Sequence, residues 1–297
     1  MNKLIAIVGT NASGKSSLGV KLAKAYGGEI VSADSRQVFR GLDLGSGKIA
    51  PEDMNGVAHH LLDVCEPGDF FSMADFQKLA YGAIDGICAR GKLPFIVGGT
   101  GLYVASVVEG YELSDKVPDL SYRDELEKLT TPELAQMLKA AIPDIEIDFK
   151  NRNRVMRVLE KLHDGDSALP TAAPRYEVIK LGVHWDRETL KTRIDERLER
   201  RLKAGMIDEV RAIRASGVSD EFLIKLGLEY GYITKYLRGE FASEEEMVSE
   251  LSLAIKRFAK RQETWFRREK DIHWLDMTAD PFSEACALID GFLAEKA

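Results

Sequence analysis

The stretch "GTNASGKSS", Gly9 to Ser17, follows the apolar run "LIAIV", Leu4 to Val8, and runs into "LGVKLAKAYG". Gly9-x4-Gly14-Lys15-Ser16 fits the P-loop pattern in the context that gives it meaning, a buried strand before and a helix after. The two glycines let the backbone turn so that successive amides point inward. The helix N-terminus adds partial positive charge, Lys15 reaches terminal phosphates, and Ser16 can ligate Mg2+. Gly9, Thr10, Asn11, Ala12, Ser13, Gly14, Lys15 and Ser16 therefore form the expected phosphate cradle. A Gly/Ser turn that merely starts a helix is the competing reading.

Outward from that loop, strand and helix signals alternate. "EIVSA" (29–33) and "LPFIV" (93–97) are short buried strands, and "SMADFQKLAYGAIDGICARG" (72–91) is an amphipathic helix. Such β-α-β-α-β order with apolar strands predicts an α/β fold, a P-loop-type parallel sheet with helices on both faces. From 117 to 174 the pattern turns helical ("RDELEKL", "TPELAQMLKAA", "RNRVMRVLEKLHDG") and is punctuated by Pro118, Pro132, Pro143, Pro170 and Pro174, which predicts a small helical insertion. "YEVIKLGVHW" then returns to the sheet. The expected division is a catalytic core, 1–116 with 175–297, and an insertion, 117–174.

Composition narrows the class. With 297 residues the chain can bury one large core, and the apolar run near its N-terminus is too short for a signal peptide or a membrane span. A cytoplasmic protein with no membrane partner is expected. Cys65, Cys88 and Cys286 are scattered, with no CxxC pair, and read as reduced, mostly buried small hydrophobes. The net charge of −7 disfavours coating nucleic acid non-specifically. Two segments are nonetheless strongly basic: "KRFAKRQETWFRREK" (256–270), with seven basic and two acidic residues, and "KNRNRVMR" (150–157), with four basic and none acidic. Such a chain can hold one nucleic acid at one place.

P-loop kinases hold Mg2+ with an acid at the tip of a later strand. Here "LPFIV" runs into "GGTGLY" (98–103) with none. Asp34, after "EIVSA", is the acid nearest a strand tip. Carboxyl ends of such strands converge on the ligand crevice, so Asp34 and Thr100 are expected to face it. A helix cap for Asp34 and a turn for Thr100 are the plainer alternatives.

Together, "GTNASGKSSL", "VSADSRQVFRGLDLGSGK", "HHLLDVCEPGDFFSMADF", "GGTGLYVASVVEG", "WDRETLKTRIDERLERRLKAGMIDEV" and "AKRQETWFRR" with "IHWLD" resemble the tRNA dimethylallyltransferase (tRNA isopentenyltransferase) family over nearly the whole chain. The resemblance implies that the cradle holds the diphosphate of dimethylallyl diphosphate. The prenyl group moves to the exocyclic N6 amine of the adenosine 3′-adjacent to the anticodon, with Mg2+ as cofactor and the tRNA anticodon stem-loop as partner. It also implies roles: Lys15 and Arg197 offset charge on the diphosphate, Asp34 accepts the amine proton, and Thr100 sits beside the reacting centre, holding Asp34 or the adenine edge. Asp34, Ser35, Arg36, Gln37 and Thr100 would contact the target base. Arg123, Asn153, Arg154, Val155, Met156 and Arg157 would contact tRNA elsewhere. For Arg197 the bland reading is a solvated helix pair; for the basic residues of the insertion it is a solvated face.

The segment "LGLEYGY" (226–232) departs from the family's Gly-Tyr pattern, and His59-His60 reads as structural. A monomer is expected, since one tRNA needs one site. The remaining alternatives are a P-loop small-molecule kinase, a prenyltransferase of free adenine nucleotides, and a non-catalytic RNA-binding module.

Overall fold

The computed structural model describes residues 1–113, 119–166 and 172–295. Its six strands are β1 (Asn2–Gly9), β2 (Glu29–Ser32), β3 (His59–His60), β4 (Pro94–Gly98), β5 (Tyr176–His184) and β6 (Ile272–Asp276). They form one parallel sheet in the order β3-β2-β4-β1-β5-β6. Side chains alternate along β1: Leu4, Ala6 and Val8 are buried on one face, Ile5 and Ile7 on the other. A strand buried on both sides has to read as an unbroken apolar run, which is why "LIAIV" carries no polar alternation.

Helices α1 (Lys15–Ala25), α2 (Met73–Ala89) and α3 (Gly101–Val108) lie in the first half of the chain. Phe76, Ala80, Ile84 and Ile87 of α2 pack with Val104 and Val107 of α3 on the Leu4 face, whereas Leu18, Val20 and Leu22 of α1 cover the Ile5 face. Ser72 starts α2 with a reciprocal cap, its hydroxyl accepting from Asp75 N–H and the Asp75 carboxylate accepting from Ser72 N–H.

Helices α4 (Leu120–Glu127), α5 (Thr131–Ala141) and α6 (Arg152–His163) follow, then α7 (Arg187–Lys203), α8 (Met206–Ala215), α9 (Asp220–Leu226), α10 (Leu228–Leu237), α11 (Glu244–Phe266) and α12 (Pro281–Ala294). Ala285 and Ile289 of α12 join α1 on the Ile5 face. Helices α7 to α11 bury a separate core, from Ile194 and Leu198 through Val210 and Tyr230 to Leu251 and Ala259, against Val38, Phe39 and Leu42 of the loop after β2.

The chain divides into two compact units, residues 1–109 with 174–297, and residues 110–173. The second has its own core of Leu126, Leu134, Leu138, Val155, Val158 and Leu159 from α4, α5 and α6. Its ends meet where Tyr111 bridges Ala172 antiparallel and Ala173 N–H donates to Gly110 O at 2.9 Å. That pairing sets the unit's start earlier than the expected residue 117, which lies outside the described residues, as do Pro118 and Pro170. Among the described residues no helix is long and apolar enough to cross a membrane. Cys65, Cys88 and Cys286 are free thiols, each partly and not fully buried.

Candidate active site

The carboxyl ends of β1, β2 and β4 open into a cleft with a cavity volume of about 480 Å³. Asn11 to Ser17, Asp34, Gln37 and Arg197 line it, together with the loop Ser46–Ala50. The P-loop itself is shaped by three side chains from elsewhere. Gln262 of α11 accepts from Asn11 N–H at 2.8 Å and donates to Gly99 O at 2.8 Å. Trp185 Nε1 donates to Ser13 O at 2.9 Å, and Arg193 Nε donates to Ala12 O at 3.0 Å while its guanidinium lies 4.4 Å from the Trp185 ring centroid. These donors occupy P-loop carbonyls, Arg193 as part of the cleft wall, and hold the turn, with Ala12 at φ 60° and Gly14 at φ 86°. Gln262 lies within the quoted "AKRQETWFRR", but the sequence offered no signal that its amide would splice the P-loop to "GGTG". Trp185 and Arg193 carried none either, since each meets a P-loop carbonyl more than 170 residues away in sequence.

The cradle is electropositive and partly unsatisfied. Lys15 Nζ donates to Thr10 O at 3.1 Å. Burial, then the neighbouring Arg197, pushes the Lys15 ammonium down to about 8. The buried Ser13 hydroxyl has no hydrogen-bond partner. Arg197 is no solvated helix pair: burial and Arg201 push its guanidinium down to about 9, and it reaches Gly47 O at 3.4 Å. Such a site gains most from an anion, which relieves mutual repulsion and satisfies the orphaned donor. Two cations share the space above Gly47, and a Cβ there would fall 1.5 Å from Arg201 Nη2 and 2.0 Å from Arg197 Nη2. Only glycine leaves room for both.

Asp34 lines the cleft, and its Oδ1 accepts from Arg36 N–H at 3.0 Å, an Asx turn that fixes the carboxylate. The Thr100 hydroxyl does not bond Asp34. It accepts from Ser35 N–H at 3.1 Å and approaches Ser35 Oγ at 3.5 Å, while Thr100 N–H donates to Ala33 O at 3.2 Å. Thr100 therefore holds the backbone on either side of Asp34. Gln37 accepts from Ser32 Oγ at 3.0 Å and donates to Gly47 O at 3.2 Å. The Arg36 guanidinium is turned away into an ion pair with Glu229 at 2.9 Å, so it is not the free base-reading donor its place in "ADSRQ" suggested.

Ser16 is exposed on the cleft. Among the described residues no group of three His, Cys, Asp or Glu could hold a metal. A cation beside Ser16 would take most of its ligands from phosphate oxygens and water. That is the habit of Mg2+, so the residues fit it. His59 and His60 are each tied to the fold, His60 Nε2 meeting Glu29 Oε2 at 2.7 Å and His59 Nδ1 meeting Val57 O at 2.9 Å, although His59 also lines the cleft.

In the residue 110–173 unit, Arg123 and Arg157 flank Glu160 at 3.4 and 3.1 Å, and Asn153 and Arg154 are exposed. Val155 and Met156 are a correction. They are 0% and 4% exposed and fill the core of that unit, so their side chains cannot meet tRNA. The run 153–157 is helical, and two of its five positions must face inward. Of the basic segment 256–270, Phe266 is buried, while Arg257, Lys260, Arg261 and Arg268 stay exposed around Trp265.

A parallel sheet whose first strand feeds a phosphate-shaped loop, with an acid and two cations converging on that loop, defines a P-loop α/β protein. Residues 37–269 match the IPP transferase family model, and residues 2–66 match an isopentenyl transferase model. The chain is 41% identical over 288 residues to a tRNA dimethylallyltransferase of Geotalea uraniireducens, covering 95% of each chain. It is 44% identical to one of Syntrophotalea carbinolica, covering 94% of this chain and 95% of that one. A solved tRNA isopentenylpyrophosphate transferase from Bacillus halodurans superposes with a TM-score of 0.75 at 38% identity, covering 99% of this chain and 96% of that one. The chain belongs to the IPP transferase family.

Proposed function

We propose that this protein transfers the dimethylallyl group of dimethylallyl diphosphate to the N6 amine of the adenosine 3′-adjacent to the anticodon in tRNA, releasing diphosphate. The observation that carries this reading is the pairing, in one cleft, of an unsatisfied cationic cradle with a fixed carboxylate, beside a β4 tip that offers only Gly98, Gly99 and Thr100. A kinase would need an acid at that tip.

The chemistry follows from the positions. The N6 lone pair forms a bond to the allylic carbon as the carbon–oxygen bond to diphosphate breaks. P-loop amides, Lys15 and Arg197 take up the negative charge that grows on the leaving oxygens. Mg2+, held near Ser16, supplies further charge neutralisation when bound. The nitrogen becomes acidic only as its new bond forms, so the Asp34 carboxylate suffices to take the proton. Thr100 keeps that carboxylate in register through Ser35 and Ala33. The adenosine leaves the anticodon-loop stack to reach Asp34, at a cost of a few kcal/mol offset by cleft contacts. Arg123, Asn153, Arg154 and Arg157 hold tRNA phosphates. The protein acts as a monomer in the cytoplasm.

The test uses unmodified tRNA, radiolabelled dimethylallyl diphosphate and Mg2+. Label retained on tRNA at the N6 position supports the reading. No label on tRNA, together with transfer to free adenine nucleotides or turnover of ATP on a metabolite, would falsify it.

A further inference from the structure

The segment 226–232, which departs from the family's Gly-Tyr pattern, carries a carboxylate with no part in the reaction described above. Glu229 opens α10 and its side chain is 2% exposed. A carboxylate that deep costs several kcal/mol unless it is paired and hydrogen-bonded. It is paired twice. Oε2 accepts from Arg36 Nη1 at 2.9 Å and Oε1 accepts from Arg201 Nη1 at 3.1 Å, and those side chains are 14% and 13% exposed.

Both partners lead to the cleft. Arg36 N–H is the donor that fixes Asp34, and its guanidinium lies 5.5 Å from the Phe258 ring centroid. Arg201 lies one helical turn beyond Arg197 on α7, and both guanidinia lean on Gly47. A single buried carboxylate thus clips the turn that carries Asp34 to the helix that carries Arg197.

We infer that Glu229 is a positioning residue for prenyl transfer: through Arg36 it holds the Asp34–Gln37 turn in register, and through Arg201 it keeps a third cation from crowding Lys15 and Arg197. The inference rests on the function proposed above. Removing the charge leaves two buried guanidinia with no counter-ion, and the relief open to them is to swing toward the cleft. An arginine released there still attracts a diphosphate, so donor binding survives while the geometry around Asp34 is lost. The expected signature is a fall in kcat without a rise in KM.

The test compares full-length wild type with Glu229→Gln, Glu229→Asp, Arg36→Gln and the Arg36→Gln/Glu229→Gln pair, using label transfer from dimethylallyl diphosphate to unmodified tRNA and a thermal melt of each protein. A wild type that transfers nothing overturns the parent reading and this inference with it. With an active wild type, Glu229→Gln should lose 30- to 100-fold in kcat with both KM values within threefold, and Glu229→Asp should lose about fivefold, since it keeps the charge and shortens the reach. Arg36→Gln should lose kcat comparably, and the pair should be within threefold of the worse single variant, because the two act as one unit. Should Glu229→Gln not fold, the pair, which removes one buried charge of each sign, and Glu229→Asp carry the comparison. A folded variant at position 229 with wild-type kcat, losses that multiply in the pair, or an effect confined to KM overturns the inference.

Discussion

Two glutamates sit between arginine pairs, one in each compact unit, and they differ in what they leave exposed. Glu229 is 2% exposed and its partners Arg36 and Arg201 are 14% and 13% exposed. Glu160 is 3% exposed, yet Arg123 and Arg157 keep 44% and 42% of their side chains in solvent, and Glu160 Oε1 has no hydrogen bond. The first arrangement is a lock, because neither guanidinium can leave without stranding buried charge. In the second, the carboxylate is equally buried but its two guanidinia stay largely in solvent, where they can meet an outside anion without leaving Glu160. The same two residue types, one glutamate with two arginines, therefore make a closed cluster in one unit and a solvent-facing one in the other.

The largest effect should come from the residues the lock serves. Asp34→Asn is expected to reduce kcat by more than 100-fold while tRNA affinity, followed by filter binding, stays within threefold. If affinity collapses and the saturated rate survives, Asp34 belongs with the recognition residues and the comparison breaks. Next in size is Gly47→Ala, where the added Cβ forces both Arg197 and Arg201 out of place. Turnover should fall at least tenfold with the fold retained by circular dichroism, whereas near-normal turnover would show that those cations tolerate displacement.

A smaller effect is expected in the other unit. Neutralising Arg154 and Arg157 together should weaken tRNA binding about five- to tenfold at low salt and reduce the slope of log K against log salt by up to about 2. The kcat at saturating tRNA should be unchanged. An unaltered slope would return both residues to a solvated face.

Much of this was legible in the sequence, for physical reasons. "LIAIV" and "GTNASGKSS" could be read because a doubly buried strand and a phosphate loop each demand an unbroken local pattern. That Lys15, Asp34 and Arg197 would line one cleft was legible because they lie in ordered segments that resemble one family. Gln262, Trp185, Arg193 and Glu229 were not, since each acts through a contact 28 to 251 residues away in sequence. Val155 and Met156 were misread because a run of five was treated as one surface, and a helix turns two of the five inward.

A third buried glutamate sharpens the contrast as a purely structural case with the smallest effect. Glu29 is 5% exposed and meets Arg90, Lys92 and His60 at 2.6, 2.9 and 2.7 Å. Arg90 is the main influence holding its carboxyl at about 2, below an ordinary 4.5. Between those values the unfolded chain binds the extra proton, so the stabilisation is complete above about pH 4.5 and lost as pH falls toward 2. The melting temperature of Glu29→Gln should lie below wild type at pH 6, and the gap should close progressively below pH 4.5. A gap that does not change with pH would mean that shape, not charge, holds that site.

The most direct measurement is calorimetric titration of the protein with a thio-analogue of dimethylallyl diphosphate in the presence of Mg2+, repeated with Lys15→Met and in excess of a non-hydrolysable ATP analogue. The expected result is one binding event per chain, abolished by Lys15→Met and undisturbed by the ATP analogue. A cleft that takes the nucleotide analogue and ignores the five-carbon donor would contradict the account.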